Sequence, residues 1–489
     1  MTEKNTRAGR AFFINSIWAV GARISINSLG AISIIFLARI LTPDDYGIVA
    51  QAVMIIGVLE MMTALGLETA LIVNQKATKE HYDTVWTLHV LQGLMISLCL
   101  AALAGPASIY FREPQLEMII YCYALLSFVE GFDNVGVVDF RKDLKFNLEF
   151  RYVLYCKLIS FVVTLIAAYY LRSYWALIIG VATNTLTRII LSYVMSPYRP
   201  SFCLNKWRDL FHFSKWMMMH EMTTAFTWEV DSFILARFSN ARMLGTYVVA
   251  SELAETPTVE LGTSVARAAS PSLSKLNDNH DDLKSLYQKS LAMLVLIGAP
   301  AGVGINVLAQ ELSDLVLGDK WQAAIPFIEI IAIVSIFSLF TTISISALIS
   351  SGRIKVLAFL SLTRLIVRST ILALGFYYFG VYGLVVATLV ASIIYIMISL
   401  CTQRYYNLIS FREIFGLCWR CITSTVIMYF SLLPIQDSLD KLGYGDLFDL
   451  VVITLAGIVI YSISLLIIWI VIGKKDGPEK EIVSFLKNR

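Results

Sequence analysis

Charge is scarce in this chain. Of its 489 residues, 15% are Asp, Glu, Lys or Arg and 57% are hydrophobic, with a mean hydropathy of +0.70. A soluble domain, in which about a quarter of residues are charged, is thereby excluded. Histidine and cysteine are also few, five and seven. Cys418 and Cys421 share C-x-x-C spacing, but no second pair or neighbouring histidine completes a zinc set. The segment HEMTT at 220–224 has Thr224 where a zinc protease needs its second histidine. No glycine loop that would cradle phosphate, no nucleophile elbow and no basic run interleaved with aromatics is present. No enzymatic activity, cofactor, metal or nucleic-acid partner is therefore expected, and the net charge of +3 has to be read another way. Long polar segments are missing as well. The polar start MTEKNTRAGR runs straight into a span too long for a signal-peptide core, so the first helix is expected to be retained.

Apolar runs long enough to cross a bilayer fill the chain. Fourteen spans are read, near 11–38, 46–70, 84–105, 117–139, 150–171, 174–196, 213–237, 245–270, 287–311, 322–350, 355–378, 381–402, 411–433 and 448–472. Basic residues resist translocation and collect on the cytoplasmic side. With the N-terminus inside, the external segments hold only Arg39, Arg112, Arg172, Arg237, Arg242, Lys320 and Lys441. The cytoplasmic segments hold clusters such as Arg141, Lys142, Lys145 and Arg151 in one loop and Lys474, Lys475, Lys480, Lys487 and Arg489 in the tail. The bias fixes the expected orientation, with both termini cytoplasmic, and it accounts for the net charge.

The chain also repeats itself. At an offset of 198 residues Ser16, Trp18, Leu37, Ala38, Arg39 and Gly47 recur as Ser214, Trp216, Leu235, Ala236, Arg237 and Gly245. A duplicated membrane half is the usual plan of a secondary transporter, with substrate bound between the halves. The expected division is an N-terminal lobe at 1–196, a cytoplasmic linker at 197–212, a C-terminal lobe at 213–402, and a last helix pair with its tail at 403–489. The fold class is all-α, two pseudo-symmetric six-helix lobes plus a C-terminal pair.

An ionised side chain at the bilayer centre costs about 2.5–3.5 kcal/mol on insertion scales, so each one must face a partner or a wet cavity. Arg23 lies near the middle of the first span and shares a helix face with Asn27, and Arg364 shares one with Arg368. Together with Lys157, these are the basic and amide candidates for binding an anionic substrate. Lys157, Arg188, Arg267 and Arg420 lie nearer helix ends, where structural pairing or snorkelling is the simpler reading. In the eighth span Glu252, Glu255, Glu260 and Arg267 fall within an arc of about 140°, and Pro257 is expected to loosen the backbone among them. Glu252 and Glu255, with Trp228, join the substrate set. His220, Glu221 and Asp231 cluster on the seventh span, and with Glu60 and Asp133 they are candidates for ion coupling. For these carboxylates three roles stay open: pairing with arginine, coupling to a cation or proton, and hydrogen-bonding sugar hydroxyls. Tyr121, Tyr123, Phe128 and Trp228 are expected to supply aromatic faces for sugar rings, beside arginine forks for phosphate.

Several segments resemble a known family. The halves that open on S-x-W and close on LAR…G, with GLETALI at 66–72, FRKDLKFN at 140–147, PSLSKL at 271–276 and LGDKWQAAIPFIEIIA at 317–332, resemble the polysaccharide transporter branch of the multidrug/oligosaccharidyl-lipid/polysaccharide exporters. Within it they are most similar to the Wzx-type, colanic acid exporter-like oligosaccharide flippases. The resemblance runs from about residue 11 to 472. It implies fourteen helices around a central cleft and a substrate consisting of an undecaprenyl-pyrophosphate-linked repeat unit. The resemblance thus implies a protein of the bacterial inner membrane that turns that unit across it for exopolysaccharide or O-antigen synthesis, with a polymerase and a chain-length regulator as candidate partners. It assigns no single site residue. A multidrug or small-cation antiporter of the same superfamily fits less well with the intramembrane arginines. A membrane polysaccharide polymerase would need a larger external loop, and a scaffold would not need buried charge.

Overall fold

The computed structural model describes residues 29–30, 32–63, 67, 71, 77–143, 145–207, 215–275, 280–406, 411–442 and 445–472. The described residues form helices and connecting turns. Lipid offers no partner to backbone N–H and C=O groups, so a helix, which satisfies its own, is the economical way to cross it. We label the long helices α1 (Pro43–Thr63), α2 (Lys79–Phe111), α3 (Gln115–Glu130), α4 (Phe146–Leu171), α5 (Trp175–Met195), α6 (Lys215–Phe238) and α7 (Ala241–Lys275). They continue with α8 (His280–Val307), α9 (Ile325–Ser350), α10 (Ile354–Tyr405), α11 (Phe411–Leu442) and α12 (Asp446–Val471).

Among the described residues nine helices are long and apolar enough to span a membrane, and a bent pair makes a tenth. The chain is therefore a multi-pass membrane protein. At 52 residues α10 is about 78 Å long, far more than one bilayer needs. It breaks at Gly380, whose φ of 63° and ψ of −148° suit only glycine, between the spans expected at 355–378 and 381–402. The span expected as one piece at 117–139 is instead interrupted: α3 ends at Glu130, and the helix resumes at Val135–Lys142 after a 67° bend. Asn134 makes the turn, its side chain accepting from the Gly136 amide at 2.9 Å and donating to the Tyr198 carbonyl at 2.9 Å. Helices α6 and α7 have the length of spans, 24 and 35 residues, but are not among the nine apolar ones, because they carry the charges noted above. Helix α7 runs through Pro257 without interruption.

The chain divides into two compact units. Unit 1 comprises Met1–Ala225 and Leu235–Gly245; unit 2 comprises Phe226–Ile234 and Thr246–Arg489. In unit 1, α2 packs on α3 and α4 on α5, around a core that includes Leu100, Leu116, Ile119 and Ile120, all fully buried. In unit 2, α8, α9, α11 and α12 enclose Leu291, Leu339, Ile343, Cys418 and Cys421.

The segment that repeats at the 198-residue offset meets its counterpart inside unit 1. A Cβ on Gly47 would lie 1.6 Å from the Ala241 carbonyl oxygen, and a Cβ on Gly245 would lie 2.0 Å from that of Pro43. Pro43 and Ala241 are themselves equivalent at the 198-residue offset, as are Gly47 and Gly245, so the contact is reciprocal. Asp44 and Arg242, also equivalent, pair at 3.5 Å. Even the caps correspond: the Thr42 hydroxyl accepts from the Asp45 amide at 3.3 Å and the Asn240 side chain from the Met243 amide at 2.8 Å.

The segment expected as the linker begins as a strap held on unit 1. Buried Asp83 accepts from the Tyr198 hydroxyl at 2.5 Å, the Ser201 amide at 3.1 Å and the Ser201 hydroxyl at 2.7 Å. The Cys203 amide donates to the Thr87 hydroxyl at 3.0 Å, and the Trp86 and Phe202 rings meet edge-on at 4.9 Å. Burial, then the Asp83 carboxylate, pushes the Tyr198 phenol well above its ordinary pKa, so it stays a donor.

Candidate functional site

Unit 1 contains a cavity of about 460 Å³. Five long helices, the break after α3 and the short helix beyond it contribute: Glu60 from α1, His89 and Gln92 from α2, Glu130 from α3, Asp133 from the break, Arg141 from the short helix, Glu149 and Tyr152 from α4, and Arg188 from α5. The bend thus has a purpose in the site, because it carries Asp133 to the wall. Arg188 sits between two carboxylates, paired with Glu130 and with its Nε 3.1 Å from Asp133 Oδ2. Arg141 pairs with Glu149 at 2.6 Å. Gln92 donates to the Thr63 hydroxyl at 3.0 Å. Four carboxylates therefore face two guanidiniums, both already paired, and the wall is rich in acceptors.

Unit 2 holds a second, smaller pocket of about 40 Å³, lined among others by Trp228, Glu255, Ser335, Ser338, Arg364, Arg368 and Tyr395. Asp231, only 2% exposed, is gripped by the Arg368 fork, Nε to Oδ1 at 3.0 Å and Nη2 to Oδ2 at 2.6 Å, while the Tyr247 hydroxyl donates to Oδ2 at 2.5 Å. Arg364 lies one turn away on the same face of α10. Its guanidinium stands 5.1 Å over the Tyr395 ring, and among the described residues it makes no ion pair. A partly buried cation that shares its pocket with Ser335, Ser338 and the Glu255 carboxylate, yet makes no ion pair among the described residues, can receive an anion.

The residues picked from the sequence are distributed unevenly. Arg23 and Asn27 lie outside the described residues. Arg364, Arg368, Glu255 and Trp228 come together at the unit 2 pocket, and Glu60 and Asp133 at the unit 1 cavity. Lys157 and Glu252 are exposed and line neither. His220 is buried and Glu221 exposed, both in the part of α6 that belongs to unit 1, whereas Asp231 belongs to unit 2. Of the aromatics expected to face sugar, Tyr123 belongs to the hydrophobic core and Tyr121 points outward, 44% exposed; Trp228 lines a pocket. Sequence reading missed Gln92, Arg141, Glu149 and Tyr395. Arg141 reads as a cytoplasmic loop charge, and Tyr395 is one aromatic in a long apolar run. Among the described residues no three His, Cys, Asp or Glu side chains converge as metal ligands.

These features define a polytopic α-helical membrane protein with charged internal cavities, a transporter type of fold. The solved lipid II flippase MurJ, in an inward closed conformation, superposes with a TM-score of 0.76 over 93% of this chain and 99% of its own, at 12% identity. An inward-facing multidrug resistance MATE family transporter follows with a TM-score of 0.59, 14% identity, and coverage of 80% and 98%. The family described as polysaccharide biosynthesis protein matches residues 36–326, more than half of the sequence, and the chain belongs to that family. Similar relatives include the lipopolysaccharide biosynthesis protein WzxC of Escherichia coli, 23% identical over 323 residues, 65% of this chain and 66% of that protein. The succinoglycan biosynthesis transport protein ExoT of Rhizobium meliloti is 22% identical over 318 residues, 65% of this chain and 64% of its own. The match thus spans about two thirds of the length of these two relatives.

Proposed function

We propose that this protein carries an undecaprenyl-pyrophosphate-linked oligosaccharide repeat unit across the bacterial inner membrane, supplying exopolysaccharide or O-antigen synthesis. The family membership and the names of its relatives support a role in polysaccharide export, and the MurJ-like fold supports a lipid-linked cargo. The observation that carries the reading is Arg364: a partly buried guanidinium on an apolar helix, stacked on Tyr395 and without an ion partner among the described residues. A cation held at such depth makes sense when its counter-charge arrives with the substrate, and a pyrophosphate supplies that charge with oxygens spaced for a fork. An antiporter of small cations would have no use for it.

The reading includes alternating access, with lobes at 1–196 and 213–402 joined through 197–212, the helix pair at 403–489 outside them, and both termini cytoplasmic. A polymerase and a chain-length regulator would take over the product. Arg364→Ala should lower surface polymer about 10- to 100-fold at equal protein abundance, the loss of one charge-assisted contact to phosphate. Lipid-linked repeat units should accumulate on the cytoplasmic side. Arg364→Lys, which keeps charge but not the fork, should retain part of the activity. Polymer export at the parental rate by Arg364→Ala would overturn the assignment.

A further inference from the structure

The acceptor-rich cavity of unit 1 has no ligand in the reading above. Its two guanidiniums are engaged, Arg188 by Glu130 and Asp133, Arg141 by Glu149. Neither is left to greet an anion. Glu60, by contrast, has no ion partner among the described residues, and it shares the wall with His89, Gln92 and Tyr152. A carboxylate beside an amide and a phenol matches the hydroxyls of a sugar ring, which donate to the first and exchange with the others. At about 460 Å³ the cavity is within the ordinary range of small-ligand sites, ample for a saccharide ring. Its surplus of negative charge would repel a ring bearing a carboxylate and favour one bearing an ammonium group.

We propose that this cavity is a saccharide subsite that accepts neutral and amino sugars and rejects uronic acids, with Glu60 as the discriminating group. The inference rests on the flippase reading for the source of the saccharide and extends it from the lipid pyrophosphate to the composition of the repeat unit. Arg188 is a positioning residue there: it pairs with Glu130 and Asp133 and holds them against the wall.

The test uses the purified full chain in nanodiscs with methyl glucoside, glucosamine and glucuronate, binding read by saturation-transfer NMR with competition. Glucosamine should bind at least threefold more tightly than methyl glucoside, and glucuronate at least tenfold more weakly. Glu60→Gln, nearly isosteric, should erase most of that order by weakening glucosamine and admitting glucuronate. Gln92→Leu should weaken all three sugars without reordering them, and size-exclusion profiles check that both variants fold. Glucuronate binding as tightly as glucosamine, an order unchanged in Glu60→Gln, or no sugar binding at all would each overturn the subsite. Competition by inorganic pyrophosphate in parental protein and Arg364→Ala reports separately on the anion grip. If that grip behaves as expected while the sugar order fails, only the saccharide subsite falls.

Discussion

Asp231 holds three donors at once, two from the Arg368 fork and one from Tyr247, and it is almost completely buried. That geometry leaves little room for a coupling ion and makes the carboxylate a structural anchor between α6 and α10. Removing one member of a buried pair leaves the other charge uncompensated, at a cost of about 3–5 kcal/mol, whereas removing both costs far less. Asp231→Asn and Arg368→Gln should therefore each lower the melting temperature of detergent-purified protein by several degrees, and the double variant should recover at least half of the loss. A coupling role would show otherwise: altered pH dependence of transport with the melting temperature unchanged. Both residues were visible in the sequence as charges at membrane depth. Their partnership was not, because a helical wheel orders residues on one helix and these lie 137 positions apart. The same limit hid the link between Arg188 and Glu130, 58 positions away.

At the scale of elements, long apolar runs were legible because a bilayer imposes both length and hydropathy, and the twelve long helices among the described residues fall where spans were expected, α10 covering two of them. What hydropathy cannot register is a local break. The interruption after α3 is written in Gly131, Asp133 and Asn134, residues that favour turns, but they sit in a stretch whose average remains apolar. The strap at 197–207 was equally opaque: its proline content reads as a linker, while its fixation depends on Asp83 and Thr87 from a distant helix. Asp83→Ala removes the acceptor of three hydrogen bonds. Amides at 197–207 should then exchange at least tenfold faster in hydrogen-exchange mass spectrometry, with α3 and α5 unaffected. Unchanged protection of the strap would mean that the Trp86–Phe202 contact and the Asn134 bond to Tyr198 hold it without the carboxylate.

For the whole molecule the reciprocal crossing of α1 and α7 offers a direct handle on alternating access. Pro43→Cys and Ala241→Cys, introduced after the seven native cysteines are replaced, should cross-link on mild oxidation and stop polymer export, with recovery on reduction. Complete cross-linking with transport unchanged would show that the ends of these helices need not part during the cycle. The repeat was readable from six matched residues; the contact between its copies was not, since sequence periodicity says nothing about which copies touch.

Asp44 and Arg242 set that crossing apart from a contact between identical chains. In a symmetric dimer of two identical chains, a residue on the contact axis meets its own copy, so a charge there faces a like charge. Pro43 and Ala241, Gly47 and Gly245 follow the mutual pattern of such a dimer, each glycine small enough for the opposite backbone. The pair at positions 44 and 242 breaks it, one acid and one base 3.5 Å apart. With different residues at equivalent positions of one polypeptide, the repulsion that identical charges would meet across such an axis is replaced by attraction.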